Sequence, residues 1–143
     1  MSRDAPRGRE AYGHFERFQT RWSDNDPYGH VNNTIHYQWF DSAVNRWLIG
    51  QGLLDLQHGD PIGLVVETGC RYFSPLAFPG DVEVGLGLAR IGTSSVTYHL
   101  GVFEPGAERP AAEGHFIHVY VSRAERRPVA LPEAWRRTIE TLG

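Results

Sequence analysis

Between Arg21 and Asn33 the chain reads Arg-Trp-Ser-Asp-Asn-Asp-Pro-Tyr-Gly-His-Val-Asn-Asn, so two carboxylates, one imidazole and two carboxamides share one short stretch. A carboxylate beside an imidazole can activate a water molecule or attack a carbonyl carbon directly. Asp26 and His30 are four apart and flank a Gly-containing turn, which lets both reach one carbonyl. Asn32 and Asn33 stand where an apolar helix pattern begins. A short amide side chain there can cap the first turn, and the uncapped N–H groups, at the positive end of the helix dipole, can stabilise an oxyanion.

Simpler uses of the same residues compete with this reading. Asp beside Asn, Pro and Gly commonly does no more than shape a turn, and Asp24 is read as that kind of residue. The run Asp24–Gly29 imitates the start of a calcium loop, but the fifth position would be Tyr28 and the twelfth Ile35 instead of a bidentate Glu, so calcium is excluded. His115 and His118 lie on opposite faces of a strand and make no two-histidine metal site. With the single Cys70 there is no multi-cysteine site either, and neither a metal nor a cofactor is expected. Ser23, Ser42 and Cys70 lack the surroundings of an activated nucleophile. Glu67 is the alternative carboxylate, facing a pocket or not according to strand register.

These residues need elements to hold them. From Asn33 onward, apolar residues recur four apart in two adjacent rows, Ile35/Trp39/Ala43/Trp47 and Phe40/Val44/Leu48, which predicts one long helix with a broad buried face, stopped by Gly50 and Gly52. Trp39 and Trp47 are read as packing, with Tyr37 or Trp39 also able to line a pocket. An aromatic strand, Phe15 to Trp22, precedes the motif. Beyond the loop at Gly59–Gly63 the pattern changes to period two, in Leu64–Phe73, Val82–Leu88, Val96–Val102 and Gly114–Val121, with hairpin-like connections at 92–94 and 105–110. The expected architecture is α+β, a five-stranded antiparallel sheet wrapped around one long central helix, with meandering strands after it. Leu131–Leu142 is expected to form a short terminal helix, and residues 1–12, without apolar periodicity, a loose arm.

The motif and the helix after it resemble the 4-hydroxybenzoyl-CoA thioesterase family of hotdog-fold proteins, whose pattern is D-x-D-x-x-G or H-V-N-N before the central helix. Arg71-Tyr72-Phe73-Ser74-Pro75 followed by Pro79-Gly80-Asp81 looks like that family's R/K-Y-x-x-P…G-D turn, and the likeness spans nearly the whole chain. It implies an acyl-CoA thioester hydrolase in which Asp26 is the catalytic carboxylate, the backbone N–H of Asn33 the oxyanion donor and His30 an assisting group. Tyr28 and Asn32 would contact substrate, and Arg71 could pair with a CoA phosphate. Related acyl-carrier-protein thioesterases carry Asn where this chain has Tyr28, so their Asp/Asn/His mechanism does not transfer whole. The chemistry is economical, because a thiolate leaves from a thiol of pKa ~8.5 and needs no strong acid. The resemblance further implies a homodimer or homotetramer with sites at the subunit interface. Two alternatives stay open: an (R)-specific enoyl-CoA hydratase on the same fold, imitated by Asp24 and His30 six apart, and a non-catalytic acyl-binding hotdog domain.

Composition narrows the field. The 143 residues suit one domain, with 41% hydrophobic residues for its core. Fourteen Lys and Arg against seventeen Asp and Glu, without a basic block, argue against nucleic acid. No apolar stretch approaches the ~18 residues that would span a bilayer, and no signal-like segment leads the chain, so a cytoplasmic protein without membrane attachment is expected.

Overall fold

The computed structural model describes residues 5–143. Five strands, β1 (His14–Gln19), β2 (Ile62–Tyr72), β3 (Asp81–Ile91), β4 (Ser95–Phe103) and β5 (Ala112–Val121), accompany two helices, α1 (Asn33–Gly50) and α2 (Glu133–Glu140). The strands make one antiparallel sheet in the order β1-β3-β4-β5-β2, and α1 packs across its inner face, as in the hotdog architecture.

Both apolar rows of α1 are buried, with Phe40, Ala43 and Val44 fully so. They meet the inward residues of the sheet, Val82, Val84 and Leu86 of β3, Val96, Tyr98, Leu100 and Val102 of β4 and Phe116 and Tyr120 of β5, which alternate with outward ones as a pleated strand requires. At Gly114 the fit is close: a Cβ there would collide with the Phe40 ring, so the absent side chain is what lets α1 settle on β5. Trp135, Ile139 and Leu142, from α2 and its end, close the far end of the same core.

Three expectations need correction. The strands after the helix do not form one meander: β2 crosses to the far edge and pairs with β5, leaving β2 and β3 on different sides of the sheet. Period-two patterning assigns faces but not neighbours, and the β2–β3 connection, with Pro75 and Pro79, is no tight hairpin. The last strand starts two residues before the expected Gly114, because Tyr72 and Arg71 extend the ladder to Ala112 and Glu113. Finally, the N-terminal stretch is not loose from Arg7 on. The Arg7 N–H donates to Glu113 Oε2 at 2.8 Å, Arg9 Nη2 bonds Glu83 Oε1 at 2.8 Å, and the ring of Tyr12 occupies the outer sheet face where side chains at Gly85 and Gly101 would stand. Two polar tethers and one aromatic anchor leave no periodic trace. Residues 1–4 of that stretch lie outside the described residues.

Candidate active site

The motif folds as a compact hinge between β1 and α1. Arg21 and Asp24 close its first turn. The Arg21 N–H donates to Asp24 Oδ2 at 2.8 Å, and its guanidinium Nε and Nη2 reach Oδ1 at 3.0 and 2.8 Å. Asp24 is 1% exposed, so its charge is neutralised on the spot and both oxygens are spent on shaping the chain.

Asp26 differs. Its Oδ1 accepts the Tyr28 N–H at 2.9 Å and the His30 N–H at 3.4 Å, while the backbone pair Asp26 N–H to His30 O at 2.8 Å closes the loop behind it. Gly29 takes φ 82°, a left-handed conformation that suits glycine and completes the turn. The carboxylate is therefore both turn former and presented group, since Oδ2 has no hydrogen-bond partner among the described residues and Asp26 borders an open cleft of about 350 Å³.

That cleft lies at the start of α1. Asn32 caps the helix, its Oδ1 accepting the Thr34 N–H at 2.9 Å and the Thr34 hydroxyl at 2.8 Å. The Asn33 N–H, one residue further in, has no acceptor among the described residues and remains one of the orphan donors of a helix start. The segment 72–76 forms the opposite wall. The Tyr72 hydroxyl donates to the Asn33 carbonyl at 2.8 Å, and the Val31 N–H donates to the Leu76 carbonyl at 2.7 Å. Phe78 N–H is held by Asn25 Oδ1 at 3.0 Å, which ties the loop after β2 to the motif.

The fold thus gathers Asp26, His30 and Asn33 on one cleft. The other three residues assigned to substrate are placed elsewhere. Tyr28 is 83% exposed and does not border the cleft, and the Asn32 amide oxygen is used in capping. Arg71 lies on the outer sheet face, one residue off the cleft-lining Tyr72, with Nη2 2.6 Å from Glu113 Oε1. Its guanidinium is already matched to a carboxylate and does not border the cleft. Glu67 is exposed and bonds His115 Nε2 at 2.8 Å on the same outer face, away from Asp26. Burial pushes the Cys70 thiol up to about 11, which keeps it from acting as a thiolate.

One lining residue went unnoticed in the sequence. His36 is buried, lies edge-on to Trp39 and Tyr72 with ring centroids 5.1 and 5.0 Å away, and leaves Nδ1 without a partner. Burial pulls its pKa down to about 4, so the ring is neutral at neutral pH. It stands three residues after Asn33, on the same helix face, and that spacing was the available signal.

Among the described residues no group of three or more metal-ligating side chains converges, and no helix is long and apolar enough to cross a membrane. The PA5185 protein of Pseudomonas aeruginosa strain PAO1 is 51% identical to this chain, superposes with a TM-score of 0.91, and the match covers 96% of this chain and 95% of that one. The PA2801 protein of the same species is 32% identical, with a TM-score of 0.80, 90% of this chain and 98% of that one being covered. Slr0204 from Synechocystis, a 1,4-dihydroxy-2-naphthoyl-CoA thioesterase, is 22% identical over 87% of this chain and 93% of its own, with a TM-score of 0.77, a likeness of fold. Residues 20–139 match the sequence profile of the thioesterase-like superfamily, which takes in the hinge, the cleft and all but the first strand, and the chain belongs to that superfamily.

Proposed function

We propose that the protein hydrolyses acyl-CoA thioesters, as the resemblance to the 4-hydroxybenzoyl-CoA thioesterases implies. The observation that carries this reading is the pairing, on one cleft, of an Asp26 carboxylate with a free oxygen and an Asn33 N–H with a free hydrogen. With the thioester carbonyl oxygen at the Asn33 N–H, charge developing in the tetrahedral intermediate meets a fixed donor at the positive end of α1.

Asp26 then acts through Oδ2. As general base it takes a proton from water while the water oxygen bonds to the carbonyl carbon. Collapse breaks the C–S bond, and the departing thiolate recovers that proton. As nucleophile it forms a mixed anhydride with loss of the thiolate, and water cleaves the anhydride. Label found in Asp26 after single turnover in H₂¹⁸O identifies the nucleophilic route, because it enters there only when water attacks the Asp26 carbon of the anhydride. His30, exposed beside the same turn, assists by hydrogen bonding to the substrate carbonyl or to Asp26.

The hydratase alternative would use Asp24 with His30, and Asp24 is buried against Arg21 with neither oxygen free. The edge of the sheet supports an assembly of two copies: among the described residues β2 has no neighbour on its outer side, and Leu64, Val65 and Val66 are exposed along it, 59% in the case of Val66. Pairing of two β2 strands would continue the sheet and cover them, as an unprotected strand edge requires. Release of CoA from benzoyl-, short-chain and long-chain acyl-CoA, compared between the native chain and Asp26→Asn, tests the activity. Turnover that survives Asp26→Asn but not Glu67→Gln would assign catalysis to the other carboxylate.

A further inference from the structure

His36 is the cleft residue that the hydrolytic chemistry leaves without a task. His36 is 4% exposed and lines the same cleft as Asp26 and Asn33; its Nδ1 is sealed off from solvent, while Nε2, which bonds none of the described residues, keeps some open surface. A buried polar atom without a hydrogen bond is a cost to the fold, and a Phe of similar size would pack against Trp39 and Tyr72 without it. The other buried histidines differ from it: His118 Nδ1 lies 3.1 Å from the Tyr120 hydroxyl, whereas His99, on the outer sheet face, has an unpaired Nδ1 but does not border this cleft. At the cleft the unpaired Nε2 is open to a partner that arrives with the substrate.

The position limits what that partner is. His36 follows Asn33 by three residues, about 4.5 Å along the helix axis and on the same face, and helical side chains lean back toward the N-terminus. With the thioester carbonyl held at the Asn33 N–H, the imidazole falls beside the first carbons of the acyl chain. The oxygen of a hydroxyl or keto group on C3, three bonds from the carbonyl carbon, comes within its reach. A neutral imidazole offers one donor and one acceptor, so it suits either group.

We propose that His36 is a specificity-determining residue that hydrogen-bonds an oxygen on C3 of the acyl group, so that 3-hydroxyacyl- and 3-oxoacyl-CoA thioesters are preferred over unsubstituted ones. This rests on the hydrolytic reading above and narrows its substrate class. An aromatic acyl group with a hydroxyl ortho to the thioester presents its oxygen at the same distance and belongs to the same class. The neutral state of the ring at physiological pH suits this role, because hydrogen bonding to a neutral oxygen needs no ionised partner.

The test is the ratio of kcat/KM for 3-hydroxybutyryl-CoA, in both enantiomers, to that for butyryl-CoA. The native protein is expected to favour one hydroxy enantiomer by at least about tenfold, the size of one neutral hydrogen bond. His36→Phe should bring the ratio to about one, and His36→Gln, which keeps a donor and an acceptor, should restore part of it. Equal kcat/KM for the esters in the native protein, or a preference that survives His36→Phe, overturns the proposal and leaves the hydrolase reading standing. Hydrolysis of neither ester removes the hydrolase reading for short chains, and calorimetric binding then decides on His36. Tighter binding of a hydroxy ester that is lost in His36→Phe upholds its role; equal binding of hydroxy and plain esters overturns it.

Discussion

His36 and His118 are both buried on the inner side of one sheet, and burial pulls the pKa of each to about 4, yet they live in opposite kinds of polar surroundings. His118 joins a closed chain, its Nδ1 3.1 Å from the Tyr120 hydroxyl, which lies 2.8 Å from that of Tyr98. None of these three side chains borders the cleft of Asp26. At the mouth of α1, by contrast, the His36 imidazole, one oxygen of Asp26 and the Asn33 N–H have no hydrogen-bond partner among the described residues, around one cavity. Native cores satisfy most of their buried polar groups, and among the described residues the other buried side-chain atoms without a partner, the Tyr12 hydroxyl and His99 Nδ1, sit together on the outer sheet face and border no part of this cleft. The same contrast recurs two residues apart, where Asp24 is consumed by Arg21 and Asp26 keeps an oxygen free.

The comparison breaks if the two regions respond alike to mutation. The largest difference is expected for Asp26→Asn, which should lower kcat by about 10²–10⁴-fold, the range of a lost base or nucleophile, with the melting temperature nearly unchanged. Steady-state kinetics beside thermal unfolding checks it, and a folded variant with native kcat would return Asp26 to the role of turn former.

Acid should act on the histidines through stability. Each has a folded pKa below its unfolded value, so the unfolded chain binds the proton more readily. Their neutral burial therefore carries no penalty above about pH 6.5, and stability falls as pH drops from there toward 4. Roughly 2 kcal/mol for each is expected to be lost near pH 5. Glu83, held low by its hydrogen bond from Arg9, works in the same direction at lower pH. Denaturant titrations at pH 7 and pH 5 measure the loss, and the slope should be shallower in His118→Leu.

At neutral pH, His118→Leu should destabilise by about 1–3 kcal/mol, since it strips the Tyr120 hydroxyl of one partner in a dry core. Its effect on kcat/KM should be small. His30→Ala should do the reverse, lowering kcat/KM by ~10–100-fold, or roughly 1.4–2.7 kcal/mol of transition-state stabilisation, with little change in unfolding. A loss as complete as that of Asp26→Asn would mean that the two side chains act as one unit. The smallest effect should be that of His36→Phe on stability, within about 0.5 kcal/mol of zero or slightly stabilising, because it removes an unpaired nitrogen and keeps the ring. A large destabilisation there would place His36 with His118 and dissolve the contrast.

Much of this protein was legible in its sequence, for a physical reason. Helices and strands are written in local periodicity, so the two apolar rows of α1 and the period-two runs named their elements and buried faces. The cap at Asn32 and the gathering of Asp26, His30 and Asn33 were equally local, since a turn and a helix start bring neighbours together whatever the rest of the chain does. Tertiary structure decided whatever depended on distant partners. Glu113, 42 residues away in sequence, takes up Arg71, and Tyr72, 39 residues from Asn33, walls the cleft. Gly85 and Gly101 give Tyr12 its seat and so bind down an arm without any pattern. Only the order of the strands sends β2 to an open edge. And His36, one polar residue in an apolar stretch, became a candidate only when packing surrounded it on one side and the cleft opened on the other, because an unsatisfied nitrogen is a property of its neighbours and not of its own position in the chain.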